Sequence, residues 1–235
     1  TDTTDPLPSP EPTEVLVSVQ TVSDLAAAEA AFSDALQSGV PHVEIVLAAG
    51  SYTERSLMLE DEALTTAVTL RGEGTVVLSG VTILARSVTL SGLTFQGRHL
   101  LPLVQLEIRD HATVSDLHFT DAEARHPRGV PPLVDIVAVG PAAQAAVSGW
   151  VVEHSALPLL SLRVQPGGRF AAARLTDINA TGAQGDAPAI SAVPVDALTI
   201  DRVALPEGAT LLAEPRPSGQ VRIDGGDAIF EGPIE

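Results

Sequence analysis

The stretch Val88-Thr-Leu-Ser-Gly-Leu-Thr-Phe95 returns as Thr113-Val-Ser-Asp-Leu-His-Phe119. In both, apolar residues alternate with small polar ones, the period of a strand with one buried face, and Gly or Asp marks a bend in the middle. Further copies are Ala146-Val-Ser-Gly-Trp-Val-Val152, Ala171-Ala-Ala-Arg-Leu-Thr-Asp177, Leu198-Thr-Ile-Asp-Arg-Val-Ala204 and Val221-Arg-Ile-Asp-Gly-Gly-Asp-Ala-Ile229. Aligning the units puts Leu90, Val114, Val147, Ala172, Ile200 and Ile223 at one position, with separations of 24, 33, 25, 28 and 23 residues.

A loose period in the twenties with a persistent strand pattern describes a solenoid. Each turn supplies short strands that pair with their counterparts one turn on, and alternate residues stack inward on the same position of the next coil. Corner loops need not be equal in length, so the period drifts while the strands recur. Val43–Leu47 and Val68–Leu70 read as earlier coils. The expected fold is all-β, a right-handed parallel β-helix of about seven or eight coils, roughly 35 Å tall at about 4.8 Å per coil. A β-sandwich of many short strands is the rival, but Asn-Gly hairpin turns are missing and one unit recurs along the chain.

One helix is expected, over about residues 22–38. Thr21-Val-Ser-Asp24 opens it like a capping box, Leu25, Ala28, Phe32, Ala35 and Leu36 form one apolar stripe, and Gly39 with Pro41 ends it. Such a helix suits a lid on the first coil, because the open ends of a solenoid need caps. Residues 1–14, TDTTDPLPSPEPTE, read as an extended Pro/Thr/acidic tail, and residues 15–235 as a single β-helix domain. The tail suggests an exported protein, with residues 1–14 lying along their own domain or along a partner.

The segment Val43-Glu-Ile-Val-Leu-Ala-Ala-Gly-Ser-Tyr-Thr-Glu54, preceded by a strand and a helix, resembles the entry of right-handed parallel β-helix proteins of the pectate-lyase-like superfamily. The resemblance covers residues 15–232 as architecture and implies that fold. It does not imply one activity, because this fold carries lyases, hydrolases, esterases, adhesins and scaffolds. The family's catalytic strings do not carry over. Arg125-His-Pro-Arg128 has the wrong spacing for an Arg-x-Pro-x-x-Arg element, and the Asn-Thr-Asp, Asp-Asp and Gly-His-Gly strings of galacturonan hydrolases are missing. An internal asparagine ladder is impossible with Asn179 alone.

Composition narrows the chemistry. The 235 residues contain no cysteine, and all 13 basic residues are arginine. That removes thiol nucleophiles, zinc ribbons, iron–sulfur clusters and every lysine-based mechanism. A net charge of −17 opposes nucleic-acid binding and contact with anionic membrane surfaces, and no apolar run is long enough to insert. No cofactor is expected. The candidate binding residues are Asp121, Glu123, Arg125, His126 and Arg128, in the insertion that stretches one period to 33 residues. Arginines there suit a carboxylate ligand, and the acids and His suit proton transfer.

A second cluster joins Arg98-His99, Arg109-Asp110-His111 and His118, with His99 and His118 placed to share an edge. Trp150 is expected in packing, Glu60-Asp-Glu62 as a solvated acidic corner, and Asp224-Gly-Gly-Asp227 as a strand-end turn. The functional expectation is a non-catalytic exported β-helix that binds protein partners as a structural, adhesive or assembly subunit. The alternative is a carbohydrate-active enzyme, a lyase or hydrolase of an acidic polysaccharide.

Overall fold

The computed structural model describes residues 17–99, 102–124, 130–185, 187–192, 195–212 and 220–224. It is a parallel β-solenoid of about seven turns with one short helix near the N-terminus. Every strand pairing is parallel.

The elements run β1 (Val17–Val22), α1 (Leu25–Gln37), β2 (His42–Tyr52), β3 (Leu57–Glu60), β4 (Ala67–Leu78), β5 (Val81–His99) and β6 (Val104–Ala124). They continue with β7 (Val134–Ala138), β8 (Ala143–Ala156), β9 (Leu160–Val164), β10 (Phe170–Gln184), β11 (Ile190–Ala192), β12 (Ala197–Ala204) and β13 (Gln220–Asp224). The main ladder follows β1-β2-β4-β5-β6-β8-β10-β12-β13, and a second runs β3-β5-β6-β7-β9-β11. Long strands such as β5 and β6 bend at register shifts and serve both ladders.

The inward register is continuous. Ile45, Leu70, Leu90, Val114, Val147, Leu175, Ile200 and Ile223 pair coil to coil. The unit alignment is corrected at one coil: Leu175, not Ala172, holds the repeat position, and Ala172 pairs with Gln144. A bulge between Phe170 and Ala172 absorbs the difference. One apolar cluster extends from Leu25 to Leu211. Phe95 stacks on Phe119 at 5.5 Å, and Phe119 meets Trp150 edge-on at 5.5 Å, so Trp150 is a core residue.

A single left-handed residue turns the chain between the faces that hold Leu90 and Phe95. Gly92, Asp116, Gly149, Asp177 and Arg202 occupy this corner in successive coils, all at φ between 50° and 67°. Glycine takes that conformation freely, and Asp tolerates it better than most side chains. The corner that carries an asparagine ladder in other solenoids is here built from Gly, Asp and Arg.

Helix α1 begins at an Asp24 N-cap whose carboxylate accepts from Ala27 N at 2.7 Å, so Asp24 caps the helix instead of lying in its first turn. Leu25, Ala28, Phe32 and Ala35 are buried against the first coils. Glu29 accepts from Arg55 Nη1 and Nη2 at 2.5 and 2.7 Å and from Met58 N at 3.1 Å, tying the helix to β3. Glu60-Asp-Glu62 departs from expectation at its centre. Asp61 is buried, and its carboxylate accepts from Ala63 N, Thr65 N, Thr65 Oγ1 and Thr66 N at 2.7–3.1 Å. It organises the turn that leads into β4.

Candidate functional site

The predicted loop site is only partly within the described residues. Asp121 is exposed at φ 48°, at a bulge in β6, and Glu123 is half-buried two residues on. Arg125, His126 and Arg128 lie outside the described residues. The second predicted cluster separates into parts. In the backbone register His118 pairs with Thr94 and Val151, while His99 pairs with Ala124, so the two histidines do not share an edge position. His118 Nε2 instead lies 3.2 Å from Glu153 Oε2. Among the described residues no group of His, Asp and Glu is arranged to hold a metal ion. Asp227 is outside the described residues.

Most described charges join neighbouring coils. Glu44 accepts from Arg71 at 2.7 Å, Asp196 from Arg169 at 2.8 Å, and Arg86 lies 3.8 Å from Asp110. Arg163 binds the buried carboxylate of Asp135 through both Nε and Nη2. Arg202 grips Asp177 one coil below with Nε at 2.6 Å and Nη2 at 2.9 Å, and also bonds Asp201. The Arg202 hydrogen bonds hold the Asp177 carboxyl below its usual range, and Arg174 adds a smaller push in that direction. These pairs link residues 24 to 28 apart, the span of one coil, and brace the register from outside.

Arg109 and Arg174 are different. Among the described residues neither bonds a carboxylate, and both border the same open cleft of about 750 Å³. Arg109 stands where the chain turns onto the face begun by His111, and Arg174 lies on β10 two coils up, because Thr113 pairs with Ala146 and Ala146 with Arg174. Between them His111 and Gln144 are adjacent in register, and Ala146 and Ala172 keep the surface low. Asp110 also lines the cleft, with Arg86 as its neighbour. His111 Nδ1 is 3.1 Å from Ser87 Oγ, which fixes the ring against the coil below. The arrangement is an anion-binding cleft in a strongly acidic protein. Sequence reading singled out Arg109-Asp110-His111 but missed Arg174, whose place depends on the corrected β10 register.

No family model, curated protein or solved structure matches this chain.

Proposed function

We propose that this is a non-catalytic, exported β-helix of the pectate-lyase-like kind, acting as a structural, adhesive or assembly subunit that binds protein partners. The supporting observation is the outward face of the main ladder. Thr69, Thr89 and Thr113 align in one column, and Ser91, Ser115, Ser148 and Thr176 in another, all half-exposed. Short side chains in register on a braced stack make a low-relief surface suited to broad contact, where small polar groups can meet a partner without large ordering costs.

The second reading, an enzyme acting on an acidic polysaccharide, draws on the Arg109–Arg174 cleft, whose guanidiniums suit uronate carboxylates. One experiment separates the two. The native protein is isolated under mild conditions and its mass in solution compared with that of the chain. A defined assembly with a second protein in fixed ratio supports the subunit reading. A clean monomer that turns over an acidic polysaccharide overturns it.

A further inference from the structure

We infer that the Arg109–Arg174 cleft is the docking site of the protein's own acidic N-terminal tail. This inference is independent of the proposed function. Residues 1–14 carry Asp2, Asp5, Glu11 and Glu14 and no basic residue, and four prolines favour an extended run. The cleft supplies two guanidiniums that no described carboxylate binds. On a chain of net charge −17, an anionic segment is repelled by most of the surface and attracted here.

The topology places the tail at the right corner. Val17, the first described residue, pairs with His42, and the same column continues through Ala67, Ser87, His111 and Gln144. His111 and Gln144 are cleft residues. The chain therefore enters the solenoid at the edge that borders the cleft, four coils below His111. Four coils are about 19 Å and the six to Arg174 about 29 Å. Asp5 lies 12 residues before Val17, which at about 3.1 Å per residue allows roughly 37 Å, and Asp2 reaches farther. Glu11 and Glu14 are too near Val17 to arrive, so Asp2 and Asp5 are the partners. In an extended segment with three residues per turn they share one side, about 9 Å apart. The arginines are two coils apart and four strand positions apart in projection, on the order of 15 Å between Cα atoms. Both side chains border the space between, and two carboxylates fit inside it. The segment after β13 is less suited, because Asp224 leaves the ladder at the opposite end of its strand.

The tail is thus a strap that runs up the stack and fills the cleft in competition with any other anion. Because the chain has no cysteine, nitroxide labels on a Thr3→Cys/Val151→Cys variant of the full protein report one distance by pulsed electron resonance. Val151 is exposed and outside the cleft lining. Docking gives a narrow distance distribution that is unchanged when labelled protein is diluted with unlabelled. It broadens in high salt, in Arg109→Ala/Arg174→Ala, and in Asp2→Asn/Asp5→Asn, which alters only the tail and leaves the solenoid intact. The Arg109→Lys/Arg174→Lys variant keeps the charges and retains a narrow component. A broad distribution in the parent protein overturns the proposal. So does a narrow one that disappears on dilution, which would place the tail on another copy. A narrow distribution that survives both charge-removing variants overturns it as well. If the parent distribution is broad and polygalacturonate protects the cleft arginines from chemical modification, the cleft is a saccharide site instead.

Discussion

Asp116 and Gly149 occupy the same left-handed corner of adjacent coils, and a Cβ added to Gly149 would lie 2.6 Å from Asp116 Oδ1 and 3.3 Å from Asp116 N. Two costs therefore meet at residue 149. Its φ of 67° is strained for any residue with a Cβ, and its space is taken by the carboxylate below. Gly149→Ala is expected to lower the unfolding free energy by about 1–2 kcal/mol in urea titration. Adding Asp116→Gly, which removes the clashing oxygen and relaxes a second left-handed residue, is expected to recover part of it. A neutral Gly149→Ala would show that this corner is not held as described.

The aromatic stack of Phe95, Phe119 and Trp150 gives a second prediction. Phe119 is fully buried, with a ring on each side at 5.5 Å. Phe119→Ala removes both contacts and leaves a void between coils, a loss of about 3–5 kcal/mol. Phe119→Leu keeps most of the volume and should lose clearly less. Equal losses, measured by urea unfolding, would mean that the stack relaxes to fill the gap.

These core positions were readable in the sequence because a solenoid repeats its inward residue at nearly fixed spacing. Leu90, Val114, Val147 and Ile200 declare themselves by alternation alone, and the helix by its stripe and its Gly39 stop. The error at Ala172 has a physical source. Ala171, Ala172 and Ala173 are alike, so nothing in the string marks which one faces inward, and the bulge before Ala172 shifts the phase. The cleft was hidden for a related reason. Arg109 and Arg174 become neighbours only through two exact pairings, and their lack of a partner is visible only once Arg71, Arg86, Arg163, Arg169 and Arg202 are each seen to hold one. Asp61 was misread because its hydrogen bonds are made within a tight turn, where an acidic tripeptide looks solvated.

Asp135 and Arg163 form an unequal pair. Asp135 points outward from β7 yet is only 1% exposed, while the Arg163 side chain is 60% exposed. Removing the arginine strands a buried carboxylate. Arg163→Ala is expected to cost about 1–3 kcal/mol, below the range for pairs buried on both sides because the guanidinium is largely solvated. Asp135→Val/Arg163→Ala replaces the charge with an apolar side chain like Val137 in the same strand, and should recover most of the loss. A double variant no more stable than Arg163→Ala, by equilibrium unfolding, would show that the carboxylate is not what the arginine relieves.

Asp61 connects the fold to pH. Burial alone would raise its pKa, but donors from Thr66, Thr65 and Ala63 together outweigh that and hold it below the usual carboxylate value. A group whose native pKa is depressed contributes stability above its unfolded value, about 3.9, and loses that contribution as pH falls through the native value. Asp61→Asn keeps the shape but sets an NH₂ group against backbone N–H donors, a loss of about 1–3 kcal/mol at neutral pH. Glu29 and Asp177 are also depressed, so acid weakens parent and variant alike, and only the difference between them reports Asp61. Urea titrations from pH 7 downward should show a constant gap above about pH 5 that closes as the native Asp61 takes up its proton and its hydrogen-bonded carboxylate is lost. A gap that persists unchanged into strong acid would mean that the turn is held by backbone geometry alone.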